Sequence, residues 1–196
     1  GEVVGFSGRD PLVVFNENDM ASFASDLFAT GIHRAVVTNA SEEIVGVLSQ
    51  ADIVKALKES LSSGEAQDMG KQALTAFGVG VGGDVVQCAK SASVLDVLQQ
   101  LQDFQVSAVA LTEEDGKLAG NFSVSDFKAL SLEKVPSFAM TAADYLEANS
   151  PASLKPTVVK SDCTLQTAVA TMLDEKIHRL WVVDDDFKAT GVVSLT

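Results

Sequence analysis

A chain of 196 residues with 46% apolar and 21% charged residues has the composition of a globular protein with room for one large core or two small ones. Its formal net charge of −13 would repel nucleic acid, which excludes a general DNA or RNA role, and no run of about 18 apolar residues exists to span a membrane. Two cysteines, Cys88 and Cys163, make no disulfide framework and lack metal-ligand spacing, and the amino terminus has no secretory pattern, so the expected setting is intracellular, cytoplasmic or organellar, not secreted.

In chain order, "PLVVF" from Pro11 predicts a short strand, and Asp19 is placed to cap a helix whose apolar face is Met20, Phe23, Ala24, Leu27 and Phe28. "GIHR" ends that helix, "AVVTN" is β-rich, and a polar turn leads to a second strand entered at Gly46 and ending at Ser49. "SQADIVKAL" then starts a second amphipathic helix with Asp52 in its first turn. The same order returns twice. "DVVQC" from Asp84, the cap Ser93, and the face Val94, Val97, Leu98 and Leu101 lead through "QVSA" to Gly120, Ser123 and Asp126. "PTVVK" from Pro156, the cap Thr164, and the face Leu165, Ala168, Val169, Met172 and Leu173 lead through "KIHR" to Gly191 and Ser194, and the third copy stops at "SLT".

Each unit therefore reads strand, helix, strand, strand, helix. The expected division is residues 1–60 as repeat A, 61–83 as a linker with a helical piece around Met69 to Phe77, and 84–131 as repeat B. Residues 132–155 form a second linker with a helix near Thr141 to Ala148, and 156–196 form repeat C, truncated at its last helix. A unit this small cannot bury both faces of a three-stranded sheet and needs a sister against it, so an odd count of three leads us to expect a further repeat ahead of Gly1.

Histidine and arginine are scarce. His33 and His178 are the only histidines, and each precedes one of the three arginines, as His33-Arg34 and His178-Arg179. In a net-acidic chain, placing these residues at equivalent positions gathers positive charge where an anionic small molecule can meet it: arginine offers a planar fork to phosphate, and histidine a further donor. An aspartate can accept two hydrogen bonds from a ribose cis-diol, the role considered for Asp52 and Asp126, although an acidic residue in a helix's first turn is also favoured by the helix dipole. Asp184, Asp185 and Asp186 read as a solvated hairpin tip rather than a metal site. "GVGVGG" from Gly78 lacks the Lys-Ser/Thr of a phosphate-binding loop and reads as a connector. No constellation of catalytic residues emerges, so no enzymatic activity is expected.

The unit with His-Arg, Val-Val and a closing G-V-h-S-x-x-D resembles the cystathionine-β-synthase (CBS) domain, whose repeats pair as Bateman modules. A His-Arg copy, a Val-Ser-Ala copy and another His-Arg copy, with "MGKQAL" before the second, are similar to repeats two, three and four of the gamma subunit of AMP-activated protein kinase and its fungal, plant and algal relatives. The resemblance implies an α/β (α+β) fold of tandem CBS repeats, each a small three-stranded sheet with two helices. It implies a non-catalytic regulatory module that binds AMP, ADP or ATP between repeats B and C, requires no cofactor, and controls a protein partner such as a kinase subunit. By the same resemblance His33, Arg34, His178 and Arg179 contact phosphates, Asp52 and Asp126 hold ribose hydroxyls, and Val106, Ser107 and Ala108 line the base pocket. Ser49, Ser123, Ser194 and Thr196 supply polar contacts. The alternative is a structural or assembly subunit that uses this fold for protein contacts without exchanging a ligand.

Overall fold

Three small sheets carry the chain, and each is built on the same plan. The structure, a computed structural model, describes residues 13–18, 32–79, 85–127 and 132–195. The helix expected first in repeat A, with Asp19 and the face from Met20 to Phe28, falls outside the described residues, as does Thr196.

In repeat A, β1 (Val14–Asn16) runs parallel to β2 (Arg34–Thr38), which pairs antiparallel with β3 (Ile44–Ser49). β3 passes directly into α1 (Gln50–Ser63), and α2 (Gln67–Gly70) and a 3-10 turn at Leu74–Phe77 follow where the linker was expected to be helical. In repeat B, β4 (Gln87–Ala89), α3 (Val94–Asp103), β5 (Ala108–Thr112) and β6 (Leu118–Ser123) repeat the order β4-β5-β6. The second linker contributes a 3-10 stretch at Leu132–Ala139, α4 (Ala142–Asn149) and a 3-10 turn at Pro151–Leu154. Repeat C comprises β7 (Val158–Lys160), α5 (Leu165–Asp174), β8 (Arg179–Val183) and β9 (Ala189–Ser194), in the sheet order β7-β8-β9.

The expected caps and faces explain these elements. The Ser93 hydroxyl accepts the Asp96 amide at 3.1 Å at the start of α3, whose Val94, Val97 and Leu101 are buried. Thr141 caps α4 in the same way through Asp144 at 3.1 Å. Asp126 lies in a 3-10 turn, Val124–Phe127, at the point where the sequence suggested the first turn of an amphipathic α-helix. Residues 128–131, which would continue that helix, lie outside the described residues.

Both hairpin and helix ends also repeat in their backbone. The hairpin residue is left-handed in all three copies, at Glu42 (φ 62°), Gly116 (φ 82°) and Phe187 (φ 64°), and so is the residue closing α3 and α5, Gln105 (φ 51°) and Lys176 (φ 55°). The Asp184–Asp186 tip is a turn: Lys160 donates to the Asp184 carbonyl at 2.6 Å and to the Asp185 carboxylate at 2.9 Å. Cys88 and Cys163 are unpaired, and burial pushes both thiols above their ordinary pKa.

The chain divides into two compact units. One comprises Gly1–Gln72, Leu165–His178 and Ser194–Thr196, and the other Ala73–Thr164 and Arg179–Val193. Repeat C is thus shared between them, α5 in the first and nearly all of its sheet in the second. In the first unit Phe15, Ile32 and Ala35 form a small core with Val13, Leu48 and Ile53 against it, and Lys58 pairs with Asp174 at 2.8 Å. Among the described residues the second unit shows two cores. One lies between the repeat B sheet, α3 and α4, where Phe122 stacks on Tyr145 with ring centroids 5.6 Å apart. The other lies between the sheets of repeats B and C: Ala110 and Leu118 pack with Trp181, Val183 and Ala189, and the Trp181 indole donates to Asn121 Oδ1 at 3.2 Å.

Candidate functional site

Within the second unit, three sheet ends bring the expected residues of repeats B and C together. Ala108 and Ser123 are register partners at the end of the β5–β6 ladder, and the Val124 amide donates to the Ser107 carbonyl at 3.0 Å. Val106, Ser107 and Ala108 thus stand beside Ser123, with Ser107 exposed and Ala108 buried. β8 begins at Arg179, whose Nη2 donates to Ser107 Oγ at 2.7 Å. Burial pushes the Arg179 guanidinium below its ordinary pKa, and the Asp126 carboxylate opposes that shift.

Asp126 is held from both sides. Its Oδ2 accepts the Ser123 amide at 2.8 Å and the Ser123 hydroxyl at 2.7 Å, while its Oδ1 accepts the Ser153 hydroxyl at 3.0 Å. The Tyr145 hydroxyl donates to the Asp126 carbonyl at 3.1 Å. Ser153 arrives on the turn Pro151–Leu154, which can approach because position 120 is glycine: a Cβ there would lie 3.2 Å from the Ser153 carbonyl oxygen. The result is a guanidinium, a half-buried carboxylate and several hydroxyls in one neighbourhood, the set of groups that can meet an anion and a diol at once.

The first unit holds a second group. The exposed His33 donates from Nδ1 to Gln50 Oε1 at 3.2 Å, and its carbonyl accepts the Gln50 amide at 3.3 Å. Gln50 is 7% exposed, and its Nε2 has no hydrogen-bond partner. Arg34 is exposed and is the register partner of Ser49. Asp52 accepts the Ser49 amide at 3.1 Å and hydroxyl at 2.6 Å, and pairs with Lys55 at 3.0 Å. The Ser49 hydroxyl, and then Lys55, hold the Asp52 carboxyl below its ordinary pKa. His178 borders a cavity of about 160 Å³ together with Lys55, Lys176 and the apolar Met172, Ile177 and Leu195. Its carbonyl accepts the Leu195 amide at 3.1 Å, and Ser194 closes β9.

The Ser-x-x-Asp pattern has a structural use besides any ligand. Ser49–Asp52 and Ser123–Asp126 share it with Ser93–Asp96, where the Ser93 hydroxyl donates to Asp96 at 2.7 Å at an ordinary helix start. The serine before each aspartate is thereby explained as the partner of a turn-closing carboxylate. Asp126 is set apart from the other two by Ser153 and Arg179. Sequence reasoning missed two participants. Gln50 is adjacent to Ser49 and was legible only as a helix residue, and Ser153 sits in a linker without periodicity. Among the described residues no group of three or more His, Cys, Asp or Glu is placed to hold a metal ion, and no helix is long and apolar enough to cross a membrane.

The CBS domain family matches residues 4–59, 82–133 and 152–196 of the chain. The protein sds23 of Neosartorya fischeri is 28% identical over 195 residues, covering 93% of this chain and 36% of the relative. The protein sds23 of Aspergillus clavatus is 28% identical over 197 residues, covering 93% of this chain and 37% of the relative, so the chain spans little more than a third of the length of these relatives. Among solved structures, a Methanocaldococcus jannaschii protein described as a proposed archaeal homologue of g-AMPK superposes with a TM-score of 0.72 at 15% identity, over 94% of this chain and 64% of the other. That likeness is one of fold.

Proposed function

The chain belongs to the CBS-domain family, and on that footing we propose that it is a non-catalytic regulatory module that binds an adenosine nucleotide (AMP, ADP or ATP) between repeats B and C and thereby controls a partner protein such as a kinase subunit. The observation that carries the reading is the bond from Arg179 Nη2 to Ser107 Oγ at 2.7 Å, with the Asp126 carboxylate acting on the same guanidinium. A repeat C cation, the repeat B turn and a repeat B carboxylate meet within one compact unit. In this reading Arg179 exchanges the serine hydroxyl for a phosphate oxygen, a stronger, charge-assisted bond. Asp126 turns an oxygen toward the ribose hydroxyls, with Ser123 and Ser153 keeping it in place. Val106 and Ala108 supply the apolar wall for the base. In the first unit His33, Arg34, Ser49, Asp52, His178 and Ser194 are proposed as further nucleotide contacts, with Lys55 and Lys176 adding positive charge beside His178.

Control of a partner requires that the nucleotide bind one arrangement of the repeats more tightly than another. Isothermal titration with AMP, ADP and ATP tests the binding itself. Saturable binding at millimolar or tighter affinity is expected, weakened at least about tenfold by Arg179→Ala, which corresponds to the loss of one charge-assisted contact. Absence of binding by all three nucleotides at millimolar concentration rejects the reading.

A further inference from the structure

Asp126 is nearly full before any ligand arrives. A carboxylate offers about four lone-pair directions and donates nothing. Three of them are taken: Oδ2 accepts the Ser123 amide at 2.8 Å and hydroxyl at 2.7 Å, and Oδ1 accepts the Ser153 hydroxyl at 3.0 Å. A ribose cis-diol brings two O–H donors, so holding it through both hydroxyls needs one resident donor to leave. The Ser123 pair closes a local turn and recurs in Ser49–Asp52 and Ser93–Asp96, which marks it as part of the backbone's own scaffold. Ser153 reaches Asp126 from 27 residues away, through the longest of the three bonds. Ser153 is therefore the donor that can leave.

Resting on the nucleotide reading above, we propose that Ser153 is the latch of this site: the ribose cis-diol takes its place on Asp126 Oδ1 and so releases the Pro151–Leu154 turn. That turn is placed to report the event. Pro151 and Ala152 are exposed, and the Ser153 and Lys155 amides donate within the turn, to the Ser150 and Ala152 carbonyls at 2.9 and 3.0 Å. The Ser150 amide donates to the Leu146 carbonyl of α4 at 2.7 Å and Leu154 packs on the core beneath, so the turn stays attached at both ends when its serine lets go. Asp126 keeps the bond from Tyr145 to its carbonyl and does not follow. Linkage runs both ways: if the diol opens the latch, the closed latch weakens binding of the diol by the same factor. A 2′-deoxyribose, whose one remaining hydroxyl fits the fourth direction, meets no such competition. Ser153 thereby sets both how the sugar is discriminated and how occupancy reaches the linker.

Isothermal titration of the whole chain with AMP and with 2′-deoxy-AMP, repeated on Ser153→Ala, reads the competition. Ser153→Ala is expected to tighten AMP binding about two- to tenfold, the worth of one net hydrogen bond, and to leave 2′-deoxy-AMP within about twofold of its original affinity. A serine that only steadied Asp126 would give the opposite sign, weaker binding of both nucleotides on its removal. Circular dichroism checks that the variant folds. Hydrogen exchange of the unmodified chain is a second readout. The Ser153 and Lys155 amides are expected to exchange several-fold faster with saturating AMP and to be unmoved by saturating 2′-deoxy-AMP. AMP binding that Ser153→Ala weakens or leaves unchanged, an equal gain for both nucleotides, or amides that AMP slows or leaves alone each overturns the latch while the nucleotide reading stands. Binding of neither nucleotide by the unmodified chain overturns both.

Discussion

The sheets of repeats A and B share strand order, pairing sense and even the bulge that shifts register between the last two residues of the central strand, yet they differ in what lies on them. Leu118, Gly120 and Phe122 of β6 are buried, whereas the equivalent strand β3 has no buried residue. The difference is carried by neighbours. Repeat B has α3 and α4 on one face and the repeat C sheet on the other, while the described part of repeat A has one small core on one face only. Local sequence sets the ladder, and a sister sheet decides whether an apolar side chain on it contributes to stability.

That contrast can be broken most directly at Trp181. Trp181→Ala opens the core between the repeat B and C sheets and is expected to cost about 3–5 kcal/mol in chemical denaturation. Leu118→Ala, in the same core, is expected to cost about 2–4 kcal/mol, whereas Ile44→Ala at the equivalent position of repeat A changes the stability of the single chain by less than about 0.5 kcal/mol. Equal effects at the two positions would end the comparison. Asn121→Ala leaves the Trp181 N–H without its acceptor and is expected to cost about 1–2 kcal/mol, read as a lowered denaturation midpoint at unchanged slope.

The smallest expected effect concerns acid. The Asp52 carboxyl is depressed, so the stability it lends is present above the pKa of an unfolded aspartate, about 3.9, and is lost as pH falls through the lower folded value. Ser49→Ala removes the main cause of the depression. The Asp52 titration followed by NMR is then expected to move up toward the ordinary range, and the acid limb of the stability profile to flatten slightly, because the carboxylate is partly in solvent.

Much of this fold was legible in the residues. The three-fold pattern, the cap at Ser93, the apolar face Val94, Val97 and Leu101, and the linker helix after Thr141 follow from periodicity and capping alone. The site was legible only as residue types. That Arg179 would reach Ser107 depends on two sheets packing face to face, and that Ser153 would hold Asp126 depends on a turn settling over Gly120; neither contact leaves a local signal. The extra serine before each aspartate looked like a ligand feature and turned out to have a capping use as well, as Ser93–Asp96 demonstrates.

The hairpin backbone has a practical corollary. Glu42 and Phe187 adopt the left-handed conformation that Gly116 reaches without steric cost in the middle copy. Glycine at the exposed Glu42 tip would release local backbone strain, which makes it a natural starting point for hardening the protein against heat. Phe187 is little more than two-fifths exposed and its carbonyl accepts the Leu118 amide, so the same change there also removes packed ring surface.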